Sequence, residues 1–388
     1  MAYTPGLKRK ELTVVEKTRK LPIQGDILVK KGDHVSYDTL VGRADLPGKV
    51  AVINAALALG LETTATQDST EQRSLDLSKY MLKNVGEEVD AGDVIAYRKS
   101  FLKLLDKQCR SPNKCTIEYY SDVTGQIIVR EPPVPIFLDT YIPGTVTQVI
   151  PKEGVLVRTA AALIQGIFGI GGETHGELMM LAENPDEVLS SDKISAKCSG
   201  KIIVGGSLVE KEGLQKAVET GVKAIIVGGI RDEDLSGFLG YDIGVAITGK
   251  EEVGLTIILT EGFGRMRMAR KTFELLSRLE GRLACVNGAT QIRAGVIRPE
   301  IIVPYEEELT VGEEETDEEE KRLLEGLKPG LPVRIIGQPY FGALGQVTKL
   351  PVELQKIETE SYVRVLQVEL EDGRKVLVPR ANVELIEE

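Results

Sequence analysis

The pentapeptide Ile-Ile-Val-Gly-Gly occurs twice, at 202–206 and again at 225–229, a spacing of 23 residues. A short aliphatic run closed by glycines suits a parallel strand buried on both faces. Between the copies, Leu214, Ala217, Val218 and Val222 recur at helical spacing, so one strand–helix unit fills the interval. A second helix is expected over 231–239, and further strands over 243–248 and 255–260. The segment RMRMARKTFELLSRLEG then reads as an amphipathic helix starting beside Gly264 and stopping at Gly281. These features predict a small parallel α/β domain over 200–304, with everything else arranged around it.

Strand–glycine–helix turns gather at the carboxyl edge of a parallel sheet, where ligands usually sit. Free helix amides beside arginines make an anion site. The candidates are Gly228, Gly229, Gly262, Gly264, Arg265 and Arg293, and the ligand would carry phosphate. Elsewhere the chemistry is sparse. Thr260-Glu261-Gly262, Asp232 and Asp234 offer carboxylates without an evident base or nucleophile, so no catalytic residue and no cofactor are expected. His34 and His175 are the two histidines, and no metal site is expected from them. The glycine-rich stretch 166–176 matches neither phosphate-loop spacing, and reads as a place where backbones pack closely.

Composition narrows the class further. Tryptophan is absent and aromatics make up 5%, so cores must be built from Val, Ile and Leu, which favours strands. A net charge of −11 offers duplex DNA no electrostatic footprint. No apolar run reaches roughly 18 residues, so no membrane span is expected, and the first residues lack the apolar core of a secretory signal. Cys109, Cys115, Cys198 and Cys285 fit idle thiols in a reducing cytoplasm.

The N-terminal part carries a repeated turn pattern. Residues 25–41 read GDILVKKGDHVSYDTLV and residues 85–97 read VGEEVDAGDVIAY. Glycine frees the backbone for a tight turn and the acid bonds its own turn amides. With Ser111-Pro112 and 124–129, these stretches resemble the halves of a biotinyl/lipoyl-type barrel-sandwich hybrid. The resemblance implies that β fold over 1–130, interrupted by an insertion at 51–82. Carriers of that family place a lysine inside Asp-Lys-Ala or Met-Lys-Met; here 42–48 reads GRADLPG, which argues against a swinging arm. Residues 131–199 are expected to be an additional β segment and connector, with a hairpin around 151–154.

Residues 306–320 hold ten acidic residues and no basic one, which marks a linker, placed at 305–327. From 328 to 388 the chain resembles the KOW motif of transcription elongation factors and ribosomal proteins. Gly330, Val333, Ile335, Gly337, Gly342, Gly345 and Val347 carry the match. The resemblance implies a small SH3-like barrel that binds RNA, RNA polymerase or ribosomal partners, with contacts at Tyr340, Phe341 and Gly342. Eight Lys/Arg against nine Asp/Glu over 328–388 make a protein partner at least as fitting as RNA.

The expectation is a multidomain, β-rich chain with an α/β centre: a barrel-sandwich hybrid, a parallel α/β domain and a KOW-type barrel. It would act as a non-enzymatic cytoplasmic protein that binds a protein or ribonucleoprotein. Two alternatives are an enzyme or sensor that takes a phosphate-bearing small molecule at the glycine-rich edge, and a scaffold that self-assembles through strand edges.

Overall fold

The computed structural model describes residues 7–61, 76–100, 106–241, 253–290, 297–305, 328–335, 340, 343–351, 354–356, 362–370 and 373–385. Strand outweighs helix by 48% to 15%, as a core short of aromatics and rich in β-branched residues demands. The expected strand at 243–248 and the acidic segment 306–327 lie outside the described residues.

The first core forms around a ribbon. The strand Arg9–Lys20 runs antiparallel to Gly154–Gln165, which also pairs with Gly144–Ile150 and Glu300–Pro304. Val35, Val41, Ile142, Val146, Val155, Val157 and Ile302 fill the space they enclose. Leu40–Leu46 pairs with Val134–Asp139, and Val50–Asn54 pairs with Gln126–Arg130, both antiparallel. The two chain segments therefore leave the first core side by side. At the crossing, Pro47-Gly48 faces Pro132-Pro133, and the Glu131 N–H donates to the Lys49 carbonyl at 2.9 Å. Proline has no N–H for a ladder, so the pairing is interrupted there and the two ladders fall in separate sheets. A Cβ on Gly48 would collide with the Glu131 carbonyl, which accounts for glycine at that place.

Beyond the crossing lies a second β core. It is made of Ala55, Leu59, Leu77, Val89, Ile95, Ala96, Cys109, Cys115, Ile117, Ile127 and Val129, all from within the loop of chain that the ribbon carries. The two Gly-Asp stretches thus serve different cores. Residues 25–41 pack with 134–157, whereas 85–97 pack with 107–130. The segment 50–130 interrupts the first module, 134–165 supplies that module's missing strands, and 167–198 belongs to the α/β centre rather than to a separate connector. Turn residues specify a local bend; the partner of each strand is set by long-range register, which the turn pattern does not encode.

The α/β centre follows the repeats. Glu173–Met180, Ile202–Val204, Ala224–Ile230 and Thr256–Phe263 run parallel in that spatial order. Phe168–Ile170 adds antiparallel to the last, and Leu283–Asn287 adds antiparallel to the first. Glu300–Pro304 then joins this sheet to the first module, giving one sheet of thirteen described strands. Period-2 alternation explains the unbroken apolar runs. Ile203, Ile225, Val227 and Ile257 face Leu214 and Ala217 of helix α2 (Lys211–Thr220) and Leu235 of helix α3 (Asp232–Leu239). In this count α1 is the short helix Ala55–Leu59. Ile202, Val204, Ile226 and Ile258 face Phe273, Leu275 and Leu276 of helix α4 (Arg270–Arg278). The glycine-rich stretch packs backbone on backbone: a Cβ on Gly169 would sit 2.6 Å from the Gly288 carbonyl oxygen and 2.8 Å from that of Ile257.

The last module is a five-stranded antiparallel sheet. Its spatial order is Lys375–Pro379, Val365–Leu370, Leu344–Lys349, Pro332–Ile335 and Val383–Leu385, with a short 3-10 turn at Arg380–Asn382. Val333, Ile335, Val347, Leu366, Val368, Val376, Val378 and Val383 form its core.

Candidate functional site

The glycine edge is filled by the chain itself. The Gly228 N–H donates to the Gly206 carbonyl at 2.8 Å, and Gly264 N–H to Ile230 at 2.7 Å. Met266 N–H donates to Ser207 and Met268 N–H to Pro185. A Cβ on Gly228 would strike the Met266 carbonyl, and one on Gly229 the Gly264 carbonyl. Gly262 is buried opposite Gly229 in the ladder. Arg265 is exposed and its Nη2 reaches the Asp186 carbonyl at 3.4 Å. Arg293 lies outside the described residues. The amides that would have cradled a phosphate are therefore spent on backbone bonds.

Helix α4 differs from expectation in a way that creates a different site. It starts at Arg270 rather than beside Gly264, because residues 264–269 run across the ends of the strands and seal the glycines. At its start the Glu261 carboxylate accepts the Ala269 N–H through Oε1 at 2.9 Å. A carboxylate there satisfies an orphan amide and meets the positive end of the helix.

The other oxygen of Glu261 accepts Arg334 Nη2, which comes from the last module. Arg334 is the direct cross-strand neighbour of Glu384, and Arg298 Nη2 lies 3.6 Å from Glu384 Oε2. A chain of alternating charge thus runs from the α4 amide through Glu261, Arg334 and Glu384 to Arg298. All four side chains are at most 10% exposed. Two cations and two carboxylates leave the group neutral, as burial at such depth demands. Next to it is a cavity of about 50 Å³, lined by Gln165, Thr260, Glu261, Thr272, Arg334 and Glu384 among others.

The group is imperfectly satisfied. Among the described residues, Arg334 Nε has no hydrogen-bond partner, and the Glu384 carboxylate is met loosely, by Arg298 at 3.6 Å and by the Leu7 amide. Burial raises the Glu384 pKa above the ordinary carboxylate range; Arg298, Arg334 and the Leu7 amide pull it the other way without cancelling the burial. Burial likewise lowers the Arg298 pKa, and Arg334 adds to that effect.

Other candidates resolve into structure. All four cysteines are free and buried. Burial pushes the Cys109 thiol up to about 11 and the Cys285 thiol up to about 12, so neither is poised as a nucleophile. The His175 ring packs on Tyr37 with centroids 4.0 Å apart, and His34 Nδ1 meets Thr145 Oγ1 at 3.1 Å. Asp234 accepts the Lys211 N–H at the start of α2. Among the described residues no group of His, Cys, Asp and Glu is placed to hold a metal ion, and no helix is long and apolar enough to cross a membrane. Tyr340 is half-buried against the core of the last module, and its carbonyl accepts the Ala343 N–H at 3.0 Å. Phe341 and Gly342 lie outside the described residues.

The charged cleft was invisible as a site in the sequence. Arg334 sits between Val333 and Ile335, and Glu384 follows Val383, so alternation assigns both charges to a solvent face. Nothing local says that another module covers that face. Compared with known proteins, the chain matches no family model and no curated protein.

Proposed function

We propose that the chain is a non-enzymatic binding protein whose last module engages a protein or ribonucleoprotein partner through the turn at Tyr340. The observation that supports this most is the way the module is mounted. Its flank formed by Pro332–Ile335 and Val383–Leu385 turns Arg334 and Glu384 toward the α/β centre. Leu354 and Leu377 meanwhile stay 57% and 53% exposed, and Tyr340 braces a turn on the module's core. Exposed apolar side chains and a partly buried aromatic are the usual material of a contact surface.

The strand order, with a 3-10 turn before the final strand, fits a KOW-type SH3-like barrel. The two Gly-Asp stretches, expected to be halves of one barrel-sandwich hybrid, fall in two nested β modules, so that reading would apply to each module separately. Eight basic against nine acidic residues over 328–388 favour a protein partner over RNA alone. Unpaired thiols suit a cytoplasmic setting. The rival reading, a phosphate-bearing ligand at Gly228, Gly229, Gly262, Gly264 and Arg265, is weakened by amides already bonded within the chain.

Affinity capture from lysate, with and without RNase, tests the proposal. Tyr340→Ala is expected to lower partner recovery about tenfold or more, in line with the loss of one stacking or packing aromatic, while Tyr340→Phe retains most of it. Equal recovery by wild type and Tyr340→Ala would remove the reading. Loss of the partner on RNase treatment would assign it to RNA.

A further inference from the structure

The second β core ends in a strand whose outer side its own fold does not use. Val50–Asn54 is the outer strand of a four-stranded sheet, and among the described residues it pairs on one side alone, with Gln126–Arg130. The Glu131 N–H donates to the Lys49 carbonyl, and the register runs unbroken from there to Asn54. Bonded and non-bonded pairs alternate in an antiparallel ladder, so Ala51 and Ile53 turn their N–H and C=O groups toward Gln126–Arg130. Val50 and Val52 turn theirs to the open side. On the outward face Val52 is the cross-strand neighbour of Ile128, and Ile128 of Tyr119, so one apolar row crosses three strands and stops at that open side. Val52 is 57% exposed and Tyr119 56%.

Folded chains ordinarily block an open edge with charge, proline or a break in register. The longer edges elsewhere in this molecule are blocked in that way. Arg9–Lys20, which pairs with Gly154–Gln165 alone among the described residues, is rich in charge and has a register break. Val134–Asp139 contains Pro135 and a register break, and Lys375–Pro379 opens on lysine and closes on proline. Val50–Asn54, with the sequence VAVIN, has none of the three. Outward backbone groups on an extended strand are met by another extended strand, and this one fits its own copy. A dyad through Val52 sets Val52 against the partner's Val52 and Val50 against the partner's Asn54, so the two apolar rows meet end to end. The seam brings no like charges together, because the strand is uncharged and Arg130 beside it donates from Nη2 to Glu118 at 3.1 Å. Over the rest of the surface a net charge of −11 opposes self-association, which leaves an uncharged edge as the place where two copies can meet.

We propose that two copies of this chain associate through Val50–Asn54, antiparallel about a dyad at Val52, and join their four-stranded sheets into one. The dyad closes the assembly at two copies. A five-residue seam is smaller than the roughly 800 Å² per partner of a standard interface, so the pair is weak, with a Kd of about 10–100 µM. The seam does not involve the Tyr340 turn and does not depend on the partner proposed for it.

The test is sedimentation velocity of the full chain from about 1 to about 500 µM. Wild type is expected to pass from monomer to dimer and to stop there. Val52→Lys, which puts two like charges on the dyad, is expected to remain monomeric throughout. Val85→Lys, at a side chain 53% exposed that precedes the far strand Glu88–Val89, is expected to dimerise as wild type does. Amide exchange of the wild-type chain gives a reading that needs no variant to fold. The Val52 N–H is expected to slow severalfold across the same concentrations, whereas those of Ala51 and Ile53, bonded within the chain, are expected to hold steady. Four results would each overturn the proposal: wild type stays monomeric, with the edge left for a foreign strand; species larger than the dimer accumulate; folded Val52→Lys dimerises as wild type does; or the Val52 N–H exchanges at one rate at every concentration.

Discussion

Glu384 gives this molecule one pH-sensitive contribution to its stability. Its side chain is 1% exposed, and burial raises its pKa above the unfolded value of 4.5. A raised carboxyl favours the protonated form in the folded chain, so its contribution is fully present below pH 4.5 and is lost as pH rises through the folded value. Glu384→Gln removes this titration and leaves Arg298 and Arg334 charged at every pH in question. The unfolding temperature of Glu384→Gln relative to wild type is therefore expected to climb as pH rises from 4.5 toward neutrality. A difference that stays flat or falls over that interval would contradict the assignment. Its cross-strand neighbour Arg334 shows where sequence reading stops. The alternation of Val333 and Ile335 is a core signal because period 2 is local, and both are buried; the neighbour that buries Arg334 between them is not local.

At the scale of elements, much of the α/β centre was legible. The two Ile-Ile-Val-Gly-Gly runs became the strands Ile202–Val204 and Ala224–Ile230, and the helices between and after them fell within a residue or two of expectation. Aliphatic runs and left-handed glycine caps such as Gly221, at φ 79°, carry that information locally. The start of α4 was not legible. Its first turn is delayed to Arg270 because residues 264–269 close over the strand ends and Glu261 meets the helix only at Ala269. Glycines that read as a ligand edge are instead close-packing positions. Gly228→Ala tests this: a Cβ aimed at the Met266 carbonyl is expected to cost about 1–3 kcal/mol of stability. An open ligand edge would absorb the methyl with a change inside about 0.5 kcal/mol.

On the scale of the whole chain, three features hold the parts in place. A two-stranded ribbon, its ladder interrupted at Pro47-Gly48 and Pro132-Pro133, carries one β core on another. A single sheet of thirteen described strands runs from the first module through the α/β centre. The last module is seated by Arg334 on Glu261 and by Glu384 beside Arg298. The nesting was hidden in the sequence because both Gly-Asp stretches have the same local pattern and only pairing tells them apart. Buried ion pairs cost desolvation, so their presence here fixes one seating of the last module more than it adds raw stability. That seating, which leaves the Tyr340 turn for a partner in the proposed function, is tested most directly by a double-mutant cycle. Glu261→Gln, Arg334→Met and the pair would be compared by the hydrogen-exchange opening free energy of the Pro332–Ile335 strand. A coupling of about 1–3 kcal/mol is predicted; a coupling within about 0.5 kcal/mol of zero would show that the two side chains do not hold the last module to the centre.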